Sequence, residues 1–355
     1  MPNQDEIEKF DREKIYEKLE YNPKPQNYSG KLPWIVQQQI AATNGKHYTD
    51  RVGKLNDYPV YELPAPNVEK GLMLDIGTGW GRWLVAGSNK GYIPIGADIR
   101  LEFCETALTT LKASNKKGYV VVADLKDLPF KSNIFDLVWS FSVIQHTHKT
   151  RLLNCLQQIN RIIKPEGYTF LEFPNRDGIK NRFGNVQETQ ADKDDYNSWS
   201  VRYYTIAEYR EIFKNIFGNF KYKNHSLIGI GILKDDLKYI SFKNKLLAGI
   251  SLTGSMFTKI IPGLTNISDS IYVKAFKNKN TPKDNIDNGL ATFEEAHKTD
   301  PTNNLNILHL LRCPITGGTL KISDDKLSLI SLQAGLRFPV VNSIPILIAG
   351  EASPL

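Results

Sequence analysis

Cysteine is scarce in this 355-residue chain: Cys104, Cys155 and Cys313 are odd in number and far apart, and none belongs to a CxxC pair. A disulfide framework is excluded on that count, and a reducing compartment is expected. Long apolar runs are missing too. The uncharged stretch 246–258 has 13 residues, short of the roughly 20 that span a bilayer. The start, MPNQDEIEKF, lacks the basic-then-apolar order of a secretion signal, so a cytoplasmic protein is expected, touching a membrane at most peripherally through 242–261. The net charge of +7 is diffuse. Lys116 and Lys117 are the only adjacent lysines, and neither an arginine-rich cluster nor an interleaved aromatic stripe marks a nucleic-acid face.

Hydrophobic residues make up 41% of the chain, enough for a sizeable core. Apolar runs predict strands near 72–76, 93–97, 119–123, 136–141 and 168–173, separated by helical patterns, which means an α/β fold around a parallel sheet. Two more strands are expected near 220–229 and 270–276. The first strand feeds LMLDIGTGWGRW, and Asp98 follows Asp75 by 23 positions. A glycine-rich turn with a carboxylate on the next strand holds an adenosine-type cofactor in doubly wound folds. A dinucleotide fingerprint needs a third glycine where Arg82 stands. Asp75, just before the loop, repels phosphates and suits a cationic ligand with an amino group. S-adenosylmethionine carries a sulfonium and an amine. Gly77, Gly79 and Gly81 let backbone approach it, and Asp98 can accept from ribose hydroxyls, each such bond worth roughly 1.5–3 kcal/mol.

From about Gly71 to Lys277 the order of motifs resembles the class I S-adenosylmethionine-dependent methyltransferases: the glycine loop and Asp98, then VVADLKDLPF, FDLVWSFSVIQH and IIKPEGYTFLEFPN. The resemblance implies a doubly wound, seven-stranded Rossmann-like sheet whose last strand is antiparallel. It places Asp124 and Leu125 at the adenine, and Ser140, with Phe141 and Ser142, beside the methyl donor. His146 is the candidate base, because histidine titrates near neutral pH and follows the fourth strand. His148 is a weaker one. Gln145, Glu172, Asn175, Arg202 and Tyr203 are candidate substrate contacts.

Residues 1–67 read as an N-terminal helical region. A charged helix is expected at 5–21 and a second from Trp34, with Ile35, Ile40 and Ala41 inward. Such helices fold over the cofactor as a lid in the family, making Tyr48 and Arg51 lid candidates against a plain core-covering role. The methyltransferase domain is placed at 68–277. Within it, a polar loop at 175–202 leads to a capping box, Thr205 and Glu208. An insertion at 234–266 carries an amphipathic helix that either caps the sheet or meets a lipid-linked substrate or a second copy. Residues 278–304 read as a linker with a short helix at 291–297. Residues 305–350 resemble the small zinc-ribbon-like methyltransferase activators through Leu311, Cys313, Pro314, Gly318, Leu320, Gly335, Phe338, Pro339, Ile344 and Pro345. Metal-binding members have two CxxC pairs. Here Thr316, Ser331 and Ala334 accompany Cys313, so no zinc site is expected. Burial of Leu310, Leu311, Phe338, Val340, Ile344, Ile346 and Leu347, and docking on the larger domain, must replace it.

The expected function is oxygen or carbon methylation of a small molecule, sugar or lipid-linked glycan. No PPY-type motif or paired catalytic cysteines point to nucleobase chemistry. The alternative is a tRNA-modifying enzyme with its activator in cis, because FDLVWSFSVIQH also resembles wobble-uridine tRNA methyltransferases. An inactive cofactor-binding scaffold is the third reading. Oligomeric state is not legible.

Overall fold

The computed structural model describes residues 24–44, 46–183, 201–229, 231–277 and 289–355. The expected helix at 5–21, positions 184–200 of the polar loop and positions 278–288 of the linker lie outside them.

Helix α1 (Trp34–Asn44) precedes an alternating series: β1 (Gly71–Ile76), α2 (Arg82–Asn89), β2 (Tyr92–Asp98), α3 (Leu101–Ala113), β3 (Tyr119–Ala123), β4 (Phe135–Ser140), α4 (Lys149–Ile162) and β5 (Ile163–Pro174). After α5 (Ile179–Phe183) and α6 (Ile206–Ile216) come β6 (Asn219–Ser226), α7 (Phe242–Ile260), β7 (Ser270–Phe276) and α8 (Gly289–Thr299). Five short strands follow: β8 (Lys321–Ile322), β9 (Ser328–Ser331), β10 (Leu336–Val341), β11 (Ile344–Leu347) and β12 (Ser353–Pro354). β1 (GLMLDI) and β3 (YVVVA) are buried along their whole length, the pattern of strands covered on both faces.

The strand order is β6-β7-β5-β4-β1-β2-β3, with β1 to β5 parallel and β7 antiparallel to both β5 and β6. All seven expected strands are present. The chain winds outward from β1 through β2 to β3, then returns to place β4 on the other side of β1. That reversal opens a crevice at the carboxyl ends of β1 and β4.

The sheet does not stop at β3. β11 pairs with it in parallel, Ile346 beside Val122 and Leu347 beside Ala123, and β10, β9 and β8 continue outward. Further along β3, Asn304 stands in for a strand: its Oδ1 accepts from Val120 N (2.8 Å) and its Nδ2 donates to Val120 O (3.0 Å) and Ser343 O (2.9 Å). Beyond β3, Lys131 N donates to Leu310 O and Arg312 N to Pro129 O. The seven apolar residues expected to sustain this unit are all buried, and one hydrophobic core runs from Leu72 through to Phe338 and Leu347. Helix α8 includes the expected 291–297 turn and packs Phe293 and His297 on Tyr119, so this end of the expected linker is part of the folded body. Cys313, Thr316 and Ser331 do converge. Burial pushes the Cys313 thiol up, but hydrogen bonds from Ser331 and Thr316 outweigh it and hold the thiol below its usual value.

Candidate functional site

A cavity of about 560 Å³ lies at the crevice, within the usual range for small-ligand sites. Its floor is the β1–α2 turn. Gly77, at φ 72°, donates to Ala97 O (2.7 Å), and a Cβ there would come within 2.2 Å of Val143. Gly79 N donates to Asp98 Oδ2 (3.0 Å), and Arg100 N to Asp98 Oδ1 (3.1 Å). Burial raises the Asp98 carboxyl to about 6 despite these amides. At the end of β3, Asp124 accepts from Lys126 N (3.0 Å) and lines the cavity beside Leu125. Ile99, Phe103 and Leu128 supply apolar wall around the two carboxylates.

Asp75, Gly81 and Ser140 do not line the cavity. Asp75 is fully buried behind the turn, accepting from Thr78 Oγ1 (3.1 Å) while its Oδ1 has no partner among the described residues. Burial raises it to about 7, against Thr78 and Arg82. Gly81, at φ 90°, is where α2 packs on α3; a Cβ would meet Ala107 Cα at 2.9 Å. Ser140 Oγ donates to Ile76 O (3.1 Å) and ties β4 to β1.

The wall over β4 and β5 consists of Trp83, Phe141, Ser142, Gln145 and His146. Glu172 sits behind it, accepting from Ser142 N (3.1 Å) and Oγ (2.9 Å) and holding that serine in the left-handed region at φ 56°. Burial raises Glu172 to about 7, with the Ser142 and Ser270 hydroxyls opposing. Arg82, in the place of the missing glycine, stacks on Phe141 (4.9 Å) and Trp83 (5.3 Å) and donates to Asn44 Oδ1 (3.1 Å). On the far side of Phe141, burial, with Arg82 and Lys223, drives His225 down to about 3, so it is neutral.

Three further expected substrate contacts do not line the cavity. Asn175 Nδ2 donates to Asn266 O (3.0 Å) and Ser268 O (2.8 Å), closing a loop. Arg202 N donates to Gln145 O (2.9 Å) and its Nη1 to His146 O (2.6 Å), so it fixes the segment after β4 from outside the cavity. Tyr203 is half-buried and lies outside the cavity lining. Neither lid candidate lines the cavity: Tyr48 is buried and donates to Asp236 Oδ1 (2.8 Å), and the α1 residues Ala42 and Thr43 form the cover instead. Sequence reading missed Arg82, Trp83 and Thr43. The departure from the dinucleotide pattern at Arg82 was the available signal.

An adenosine-type cofactor fits this donor set. Asp98 uses one amide per oxygen and keeps acceptor capacity on both, and apolar side chains flank it.

Comparison with known proteins gives two family matches. The family described as "Methyltransferase domain" matches residues 74–171, and the family described as "Trm112p-like protein" matches residues 304–343. A UPF0434 protein of Bartonella henselae is 49% identical over 57 residues, which are 16% of this chain and 82% of the relative. Among solved structures, Haemonchus contortus phosphoethanolamine N-methyltransferase 2 with S-adenosyl-L-methionine is 21% identical with a TM-score of 0.42, over 61% of this chain. The present chain spans 50% of that protein's length. A Haloferax volcanii complex of the Trm112 methyltransferase activator with a methyltransferase gives 17% identity and a TM-score of 0.42, over 69% of this chain and 97% of the matched one. Residues 74–171 thus belong to the methyltransferase-domain family, and residues 304–343 to the Trm112p-like family.

Proposed function

We propose that the protein methylates an oxygen or carbon of a small polar acceptor, a metabolite, sugar or lipid-linked glycan, seated at the ends of β4 and β5. The observation that carries this reading is the wall of Trp83, Phe141 and Ser142 beside Arg82. Aromatic faces suit the C–H faces of a sugar ring, and a guanidinium and a hydroxyl suit its oxygens. In this reading Asp98 holds the cofactor's ribose hydroxyls, Asp124 and Leu125 its adenine, and the 77–79 turn its amino-acid end. When bound, the cofactor supplies an electrophilic methyl group open to in-line displacement.

Placing the acceptor accounts for most of the rate, on the order of 7–11 kcal/mol. Trp83 and Phe141 do this placing. A hydroxyl acceptor must also lose a proton. Ser142 Oγ takes it as its own proton passes to Glu172, which sits near neutrality. His146, which also lines the cavity, is the alternative base.

A second reading, tRNA modification, is favoured by the Trm112p-like segment. One experiment separates them: labelled S-adenosylmethionine incubated with cell-extract fractions, followed by separation of RNA, small metabolites and lipids. Label in metabolites or lipids is expected. Label in RNA, with binding that weakens steeply with salt, promotes the second reading and refutes the first.

A further inference from the structure

Helix α7 is built inside out. A surface helix of a soluble protein turns its apolar stripe to the core, yet here the inward strip is Ala248, Ser251, Ser255 and Thr258. Ser251 Oγ donates to Ile228 O (2.7 Å), and Ser255 Oγ accepts from Leu227 N (3.0 Å). The outward strip is Phe242 (84% exposed), Leu246 (63%), Ile250, Met256 (64%), Phe257 and Ile260 (76%). At 100° per residue these six side chains share one face, and Lys243 and Lys245 fall on its two borders. Lys259 lies lower on the flank.

Charge says what covers this face. The 32 residues from Leu237 to Ser268 contain four lysines and no aspartate or glutamate. On the neighbouring strands, Lys223 is held below its usual value by burial and by the charges of Lys259 and Lys274. A second copy of the chain would set lysine-bordered, acid-free faces against each other, like charge on like charge. No helix among the described residues is long and apolar enough to cross a membrane. An apolar stripe with lysines on its borders does fit the boundary between headgroups and acyl chains, where lysine stems lie along the apolar layer and their ammonium groups reach phosphate.

We propose that α7 is a peripheral membrane anchor that lays its Phe242–Ile260 face into a bilayer rich in anionic lipid. The anchor does not depend on which acceptor is methylated.

The test is co-sedimentation of the full chain with vesicles of phosphatidylcholine alone and of phosphatidylcholine mixed equally with phosphatidylglycerol. Partitioning onto the mixed vesicles is expected, weakening with salt. Leu246→Glu with Ile250→Glu should lower the partition coefficient at least about tenfold, with melting temperature and cofactor affinity unchanged because both side chains face outward. Lys243→Gln and Lys245→Gln should each cost about fivefold, equivalent to about 1 kcal/mol, on anionic vesicles only. Absence of binding, or equal binding to neutral and anionic vesicles, overturns the proposal. So does a concentration-dependent dimer that the paired glutamates dissolve, since the face is then occupied by a second copy.

Discussion

Replacing Asn304 by alanine tests whether the C-terminal segment seals the sheet. Asn304 satisfies both backbone groups of Val120, which is fully buried as the second residue of β3, and also reaches Ser343 O. Alanine leaves a buried N–H and a buried C=O without partners. At roughly 1–3 kcal/mol for each, the loss should come to about 2–6 kcal/mol, read by urea unfolding followed by circular dichroism. Asn304→Asp sharpens the test. The carboxylate still accepts from Val120 N but faces two carbonyl oxygens, so at neutral pH it should be at least as damaging as alanine. Its folded pKa is then raised, and the extra penalty is absent below the unfolded value of about 3.9 and grows as pH rises. Asn304→Asp should therefore approach alanine's stability or better it near pH 4. A change under about 0.5 kcal/mol for alanine would refute the sealed edge.

Asp98→Ala should weaken S-adenosylmethionine binding at least about 100-fold by calorimetry, through the loss of two charge-assisted bonds; unchanged affinity would remove Asp98 from the cofactor site. Burial raises Asp75 and Glu172 to about 7, so the folded state binds more protons than the unfolded one: these groups favour folding below about pH 4 and lose that contribution as pH climbs to about 7. Methyl transfer to a hydroxyl should rise with pH through about 7 in the parent and flatten in Glu172→Gln; flattening in His146→Gln instead assigns the proton to His146. Gly77→Ala, at φ 72° with Val143 2.2 Å from the new Cβ, should lower both the melting temperature and cofactor affinity, and a variant with parental values would show that the turn relaxes freely.

The central strands β1, β3 and β4 were legible because they are apolar runs covered on both faces, and the capping box at Thr205 forms as read, with Glu208 Oε2 accepting from Thr205 N at 2.6 Å. Faces of helices were less so. In α1 it is Gln37 that turns inward, with Oε1 accepting from Gly53 N (2.7 Å) and Leu55 N (3.2 Å), while Ile35 is exposed. A polar side chain spent on a distant loop leaves no trace in periodicity. Asn175 and Arg202 lie near the sheet's carboxyl edge, as their positions in the sequence suggest, but outside the cavity, where they donate to backbone carbonyls. Ser142 depends on a left-handed backbone and on Glu172, thirty residues away, a pairing that only the β4–β5 register creates. The docking of β11 was foreseen as contact, but its form, a continued sheet, depends on the open edge of β3.

That continued sheet has a consequence for how the protein responds to dilution. A separate subunit holding the same edge would be shed as its concentration fell below its dissociation constant, and related enzymes would compete for it. A covalent tether replaces that equilibrium with a fixed local concentration, of millimolar order for short flexible links. The segment from Pro129 to Lys131, pinned to Leu310 and Arg312 a few residues from Asp124 and Leu125, is thus held at any protein level, and every copy of the methyltransferase fold carries one such unit.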